Sequence, residues 1–427
     1  MSAKGAIVIV EPLSSGAAIA PVARERGFET IAIRRAGLHQ SLVASFQPQD
    51  FLFTIDGDAA FDDICTQLAR GDLAAVIPGS EPGVSLADRI ARHFGLSGNN
   101  PRTTSRRRDK FLMHERLSAC GLRAIRQSRL DDPQEIAPWM AASGVHFPVV
   151  VKPLQSGGTE GVTLCKTIEE ARSAAFAILG RSTILGEINE VFLVQEFLHG
   201  PEYVVDAISA EGRCKATNIC RYGKTQLNNS AFVYLEAEFF PPSREFSELL
   251  DYNEQVLAAL GVEYGASHSE IIMTADGPCL VEMGARLAGG GYASIVERIS
   301  SHAPISMLLD AWTAPDAFCT AAEEPVIFHE NAILACLTNT RKGVVAALDA
   351  DHLIETLPSF VWKKMLTQAG AFIDPTTSLI DCPGLVLLAN ADKARLYEDR
   401  NQFREWDRDA RLLHVASPAY KQSRYGV

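Results

Sequence analysis

Long hydrophobic runs are missing from this 427-residue chain. No apolar stretch approaches the roughly 18 residues that a bilayer-spanning helix needs. The opening MSAKGAIVIVEPL carries a single lysine and too short an apolar core before Glu11 for a secretion signal, and reads as a first strand. Cysteine pairing signals are absent as well. The nine cysteines, at 65, 120, 165, 214, 220, 279, 319, 336 and 382, form no CxxC pair, and most sit in apolar runs such as AILACL and DGPCLV. That pattern excludes a disulfide framework and a thiolate metal centre, and points to reduced core thiols in a cytoplasmic protein. Positive charge is in deficit, 40 Lys and Arg against 52 Asp and Glu, for a formal net charge of −12. Such a balance argues against a general nucleic-acid binder and against docking on anionic membranes, while leaving room for a local basic pocket. Neither GxGxxG nor the P-loop pattern GxxxxGK[ST] occurs, and no internal repeat is visible.

What remains is ordinary globular material, 47% hydrophobic and 22% charged, enough for two to four domains. GAIVIVEP and ETIAIR read as short buried strands, and LAAVIPGSEPG as a strand running into a Gly-Pro-Ser loop. SSGAAIAPVARERGF and VSLADRIARHFG, the latter closed by Gly95, read as helices between and after them. This is a βαβ pattern with a parallel sheet. TTSRRRDKFLMHERLSACG predicts one basic helix running to Gly121, and KTIEEARSAAFAIL a helix capped by Thr167. VFLVQEFLHGPEYVVDAIS predicts two strands joined by a short loop. After about residue 325, VIFHENAILACLT and GLVLLANA are strands expected to surround one helical segment, as in a small α+β domain.

Three stretches carry chemistry. In HSEIIMTADGPCLVEMGARLAGGG, Glu270, Glu282 and Arg286 stand among apolar residues. A three-residue loop at 275–277 would set Thr274 opposite Pro278 and make Glu270 and Glu282 cross-strand neighbours, with Cβ atoms about 4.5–5.5 Å apart. Paired hard oxygen ligands suit Mg²⁺ shared with substrate phosphates, and Arg286 would complete a phosphate site. For this hairpin alone, a salt bridge on a solvated sheet face is the competing reading. In FPVVVKPLQSGGTEGV, Lys152 ends a strand before a glycine-rich loop containing Ser156, Gly157 and Gly158. Lysine and loop amides together can hold phosphate oxygens, and a plain tight turn competes. In QEFLHGPEYVVDA, backbone groups of Glu196, Phe197 and Leu198 could read an adenine edge, and Glu202 could accept ribose hydroxyls; an ordinary hairpin competes.

Taken in order, Lys110, Lys152 with its loop, EFLHGPEY in the pattern E-x-x-x-G-x-E, and the double-glutamate hairpin ending in arginine resemble the ATP-grasp superfamily over residues 1–325. That resemblance implies an α/β and α+β multidomain chain. It would comprise a Rossmann-like N-terminal domain (1–105), an ATP-grasp core of two α+β subdomains (106–190 and 191–325) and a small C-terminal α+β domain (326–427). It implies ATP and Mg²⁺ as cofactors. Lys110 and Lys152 would lie on phosphates, residues 196–198 on adenine, Glu202 on ribose, and Glu270 and Glu282 on magnesium. Arg286 would steady the transferred phosphate. The family often has Asn where this chain has Gly284, which leaves the second metal less fully held by protein.

VIPGSEPGVSLADRIARHFGLSGN, the GAR ending and the C-terminal region resemble L-amino acid ligases, among them bacilysin-type dipeptide synthetases and ligases of dapdiamide-type antibiotics. By that resemblance the enzyme activates a carboxylate as an acyl phosphate, which an L-amino acid amine attacks. Residues 156–161 are the expected lid. Small-molecule carboxylate and amino acid substrates are the expected partners, and a homodimer the expected assembly. Glu236 is a candidate for a substrate amine, His268 for phosphate or substrate, and Gly289 and Gly290 for clearance around a bulky substrate. A satisfied core histidine and a solvated strand residue compete for His268 and Glu236. Two other functions stay open: a bicarbonate- or formate-activating ligase of carboxylase or purine type, and a non-catalytic nucleotide-binding regulator.

Overall fold

Hydrophobic strands and the turns between them build the N-terminal region as its pattern predicts. In this computed structural model the described residues are 4–38, 43–155, 158–183, 188–348 and 350–416. Strands β1 (Ala6–Val10), β2 (Glu29–Arg34), β3 (Phe53–Asp56) and β4 (Leu73–Pro78) form an all-parallel sheet in the order β3-β2-β1-β4. Helices α1 (Ile19–Glu25), α2 (Phe61–Leu68) and α3 (Val84–His93) connect and flank them. Central β1 reads AIVIV because both its faces are covered, and Ile7, Val8, Ile9 and Val10 are each 0% exposed. Each such side chain contributes roughly 1.5–3 kcal/mol. At the carboxyl ends of β1 and β4 the backbones nearly touch. A Cβ on Gly79 would lie 2.6 Å from the Glu11 carbonyl oxygen, so only glycine fits there.

The basic stretch after residue 103 is two helices, where the sequence predicts one. Helix α4 (Ser105–Arg108) stops at Asp109, whose φ of −95° and ψ of 113° are extended. Its carboxylate accepts from the Phe111 and Leu112 amides at 2.8 and 3.1 Å and caps α5 (Lys110–Ala119). The cap outcompetes continuation because it satisfies two otherwise orphaned donors. Arg107, two residues before Asp109, is 0% exposed. Its guanidinium donates to Asp88 Oδ2 on α3 at 2.7 Å and to the Asn100, Leu260 and Gly261 carbonyls at 3.1–3.2 Å.

A second sheet, in the order β5-β8-β6-β7, comprises Gln127–Leu130, Phe192–Glu196, Val149–Lys152 and Thr163–Cys165. Strand β8 sits between β5 and β6, so this sheet runs past residue 190 into the next expected segment. Helices α6 (Ile136–Ser143) and α7 (Ile168–Ile178) cover it, and Thr167 caps α7 through the Glu170 amide. VFLVQEF and EYVVDAIS do not form a hairpin. Strand β9 (Glu202–Ala210) pairs instead with β12 (Gly265–Thr274), which pairs with β13 (Gly277–Gly284), so residues 197–201 cross between sheets. The first half of β10 (Arg213–Leu227) flanks β9, and α8 (Ser247–Leu260), α9 (Tyr292–Ile299), α10 (Pro304–Thr313) and α11 (Pro315–Glu323) complete this part.

The chain divides into two compact units, residues 1–157, 161–220 and 241–328 in one, and 158–160, 221–240 and 329–427 in the other. The second holds the distal half of β10, β11 (Ser230–Phe240), β14 (Asn331–Cys336), β16 (Phe360–Met365) and β18 (Gly384–Asn390), with a small sheet in which β15 (Gly343–Ala347) lies between β17 (Phe372–Ile373) and β19 (His414–Ala416). The long helix Lys393–Arg408 follows the GLVLLANA strand and is not enclosed before it. It packs Leu396, Phe403 and Trp406 on the sheet residues Ile333 and Leu388. Between the two predicted strands, the described helical residues are the four-residue helix Ala350–Leu353 and the 3-10 turn Ile354–Thr356 that follows it.

Removing one member of the Arg107–Asp88 pair leaves a buried charge uncompensated. Asp88→Ala is expected to cost about 3–5 kcal/mol, read as a lower urea midpoint with an unchanged slope.

Candidate active site

The double-glutamate hairpin forms by a different route from the three-residue loop that the sequence predicts. Its turn has two residues, Ala275 and Asp276, and Thr274 pairs with Gly277. Thr274 Oγ1 closes it by donating to the Gly277 carbonyl at 2.8 Å. That register alone would leave the glutamates out of step. A β-bulge between Leu280 and Glu282, with Val281 unpaired, restores it, so Glu270 stands directly opposite Glu282 and His268 opposite Gly284. The Val281 carbonyl accepts from His114 Nε2 at 3.2 Å, which assigns that nitrogen the proton. Burial, reinforced by Lys152, drives His114 down to about 3, so it is a neutral ring. Met283 and Ala285 are buried away from the carboxylates, 2% and 3% exposed.

Two lysines converge on these carboxylates. Lys110, at the start of α5, places Nζ 3.0 Å from Glu282 Oε2. Lys152, at the end of β6, is 5% exposed and faces Glu282, Lys110, Glu270 and Glu202. Its burial lowers the ammonium pKa to about 8; Glu282 opposes that shift and Lys110 adds to it. For Glu282, burial pushes the carboxyl up, but Lys110 and Lys152 outweigh it and hold the group well below the usual carboxylate range.

On the same face of β12, His268 Nδ1 lies 2.6 Å from Asp206 Oδ1 on β9, and Nε2 lies 3.6 Å from Glu270 Oε1. Burial opposes protonation of His268, yet the two carboxylates prevail and raise it to about 9. Arg286 Nε sits 3.4 Å from Glu81 Oε2, and Arg108 Nε lies 3.5 Å from the other Glu81 oxygen. A Cβ on residue 284 would fall 3.1 Å from both Arg286 Cζ and Glu81 Oε2. Gly284 therefore makes room for the guanidinium.

Glu196 ends β8 with its carboxylate on Arg126, at 2.7 Å from Nη2. Phe197 stacks edge-on against His199, Leu198 is buried with Ile125 and Cys279, and Glu202 opens β9 within electrostatic reach of Lys152. Gly289 and Gly290 follow Arg286. A Cβ on Gly289 would meet only Ser14 Oγ, at 3.8 Å, so that side is open. Ser156 and Gly157 lie outside the described residues. Gly158 has a φ of +65°, and a Cβ there would lie 3.4 Å from Ile380. Glu236 belongs to the second unit. Arg400 and Arg404 hold its two oxygens at 2.6 and 3.6 Å, so it is neither solvated nor free for an amine.

Four residues of the site escaped sequence reading: Glu81, Arg108, His114 and Asp206. A signal existed for two of them. His114 falls one helical turn after Lys110 on α5, and Asp206 alternates with apolar neighbours in EYVVDAIS as an isolated inward carboxylate. Glu81 and Arg108 had no local signal, because their meeting depends on how α4 packs.

Residues 145–294 match the family model of the ATP-grasp domain. Over those residues the chain is similar to ATP-grasp proteins. It is 29% identical over 413 residues to dapdiamide A synthase of Enterobacter agglomerans, covering 95% of this chain and 96% of that one. Its fold resembles the crystal structure of an L-amino acid ligase from Bacillus licheniformis, with TM-score 0.76 at 18% identity, covering 98% and 100% of the two chains. It also resembles the ADP complex of purK, N5-carboxyaminoimidazole ribonucleotide synthetase, with TM-score 0.66 at 14% identity over 96% and 98%. The ATP-grasp match spans Lys152, Glu270, Glu282 and Arg286, whereas Glu81 and Lys110 precede it.

Lys152 loses its proton as pH rises through about 8, and one positive charge beside Glu282 is lost with it. ADP affinity, measured calorimetrically without added metal, is expected to fall as pH rises from 7 to 9, and Lys152→Gln should flatten that dependence.

Proposed function

We propose that this chain is an ATP-dependent ligase. It joins the carboxylate of an amino-acid-type substrate to the amine of an L-amino acid through an acyl phosphate, releasing ADP and phosphate. The observation that carries the reading is the convergence of Lys110 and Lys152 on a cross-strand pair of glutamates, with an arginine two residues beyond the hairpin. Near-complete alignment with a dapdiamide synthase favours amide formation over activation of bicarbonate or formate.

In this reading Lys110 and Lys152 neutralise the phosphates, backbone groups of residues 196–198 take adenine, and Glu202 takes ribose. Among the described residues no cluster of three or more His, Cys, Asp or Glu is arranged to hold a metal by itself. Two carboxylates with hard oxygens, completed by phosphate oxygens, fit Mg²⁺ well, and Glu270 and Glu282 would hold it. Bound there, Mg²⁺ would neutralise charge on the transferring phosphoryl group. Arg286 moves from Glu81 onto the transferred phosphate and then the tetrahedral intermediate, where its charge counts most. The open side at Gly289 and Gly290 leaves space for the amino acid that attacks. A cytoplasmic enzyme suits nine free cysteines, and no helix among the described residues is long and apolar enough to cross a membrane.

A screen of carboxylate and amino acid pairs for phosphate release tests the activity. Chromatography should show ADP as the stoichiometric nucleotide product; AMP would refute an acyl phosphate. Lys152→Ala and Glu282→Ala should each lower kcat/KM by about 10²–10³-fold or more while the proteins stay folded by circular dichroism. Near-wild-type product from either would sink the site assignment.

A further inference from the structure

Asn218, Asp206 and His268 form a buried polar row that leads across three neighbouring strands to Glu270. Asn218 on β10 is 1% exposed, and its Nδ2 donates to Asp206 Oδ2 at 2.8 Å. Thr217 Oγ1 donates to the Asp206 carbonyl at 3.2 Å and lies 3.1 Å from Asn218 Oδ1, which holds the outer end of the row. Asp206 and His268 are direct cross-strand partners, each 8% exposed. The remaining Asp206 oxygen lies 2.6 Å from His268 Nδ1. An ionised carboxylate only accepts, so Nδ1 donates and the ring plane is set by a partner that is itself fixed. The other ring nitrogen faces Glu270 Oε1 at 3.6 Å.

We infer that His268 is a positioning residue for Glu270, and that Asp206 and Asn218 orient it. Nothing in simple core packing requires this arrangement. A buried row of polar groups on an otherwise apolar strand face costs desolvation at every member. Here Asn218 and Asp206 each hydrogen-bond to the next member, His268 faces Glu270 at ion-pair distance, and the row ends at a carboxylate proposed to bind metal. Partners of metal ligands fix ligand orientation, and their loss typically weakens metal binding about 10–100-fold. The row thus extends the proposed centre to residues on β9 and β10, far in sequence from the glutamate hairpin.

The inference rests on the proposed metal role of Glu270, and the two can fail separately. Enzyme-bound Mn²⁺ is followed by water proton relaxation with ADP present and no amino acid substrate. Wild-type protein reports on the metal reading: absence of Mn²⁺ binding there overturns that reading and this inference with it. Given binding by wild type, His268→Leu is expected to weaken Mn²⁺ affinity about 10-fold. Asp206→Ala should do so by a smaller factor through loss of ring orientation. A merely structural role would not respond to metal, so raising Mg²⁺ should restore turnover of His268→Leu. Wild-type Mn²⁺ affinity in a folded His268→Leu protein would overturn the inference. Should that variant fail to fold, Asp206→Ala decides in the same way.

Discussion

The guanidinium of Arg107 has no exposed surface, and its partners come from three separate stretches of chain. Asp88 supplies the countercharge, Asn100 a carbonyl from the preceding turn, and Leu260 and Gly261 the carbonyls that end α8. A buried ion that must keep all of these bonds tolerates little displacement, because each lost partner leaves a desolvated charge. The next residues inherit that rigidity. Arg108 reaches Glu81, Asp109 turns the backbone and caps α5, and Lys110 enters the candidate site against Glu282. One interaction therefore sets both the packing of the parallel-sheet region against α8 and the position of a proposed phosphate-binding cation.

Charge compensation explains the interior of the site. Five carboxylates, Glu81, Glu202, Asp206, Glu270 and Glu282, share a region with Lys110, Lys152, Arg108, Arg286 and His268. The opposing signs hold Glu282 ionised despite burial and keep the lysines in place. A site arranged this way can exchange internal ion pairs for ligand contacts. In the proposed reaction, phosphates at Lys110 and Lys152 would free the glutamates to hold a metal ion, at less cost than desolvating isolated charges would carry.

Backbone irregularity does comparable work. The two-residue turn of the β12–β13 hairpin and the bulge at Val281 each shift the register, and only together do they bring Glu270 opposite Glu282. The bulge also turns one carbonyl out of the ladder, and a buried neutral histidine takes it up. Gly284 follows with no side chain, which lets Arg286 lie back on Glu81.

Much of this was legible in the linear chain. Apolar runs bounded by glycine and proline marked the parallel strands, Thr167 marked its helix start, and the spacing of Lys152, Glu202, Glu270, Glu282 and Arg286 outlined one site. Those signals are local, carried by period, capping chemistry and residue type, so they survive without coordinates. Other features depended on partners distant in sequence. QEFLHGPEY reads as a hairpin until β8 and β9 are found in different sheets, since strand pairing is decided by which neighbours offer free edges. Glu236 reads as a solvated strand residue until the helix Lys393–Arg408 brings two arginines over it. Glu81 reads as a turn residue until Arg107 draws α4, and Arg108 with it, into place. Residue identity and spacing determined which charges this protein would bury; tertiary packing decided which of them would meet, because a buried charge is stable only beside the partner that the fold delivers.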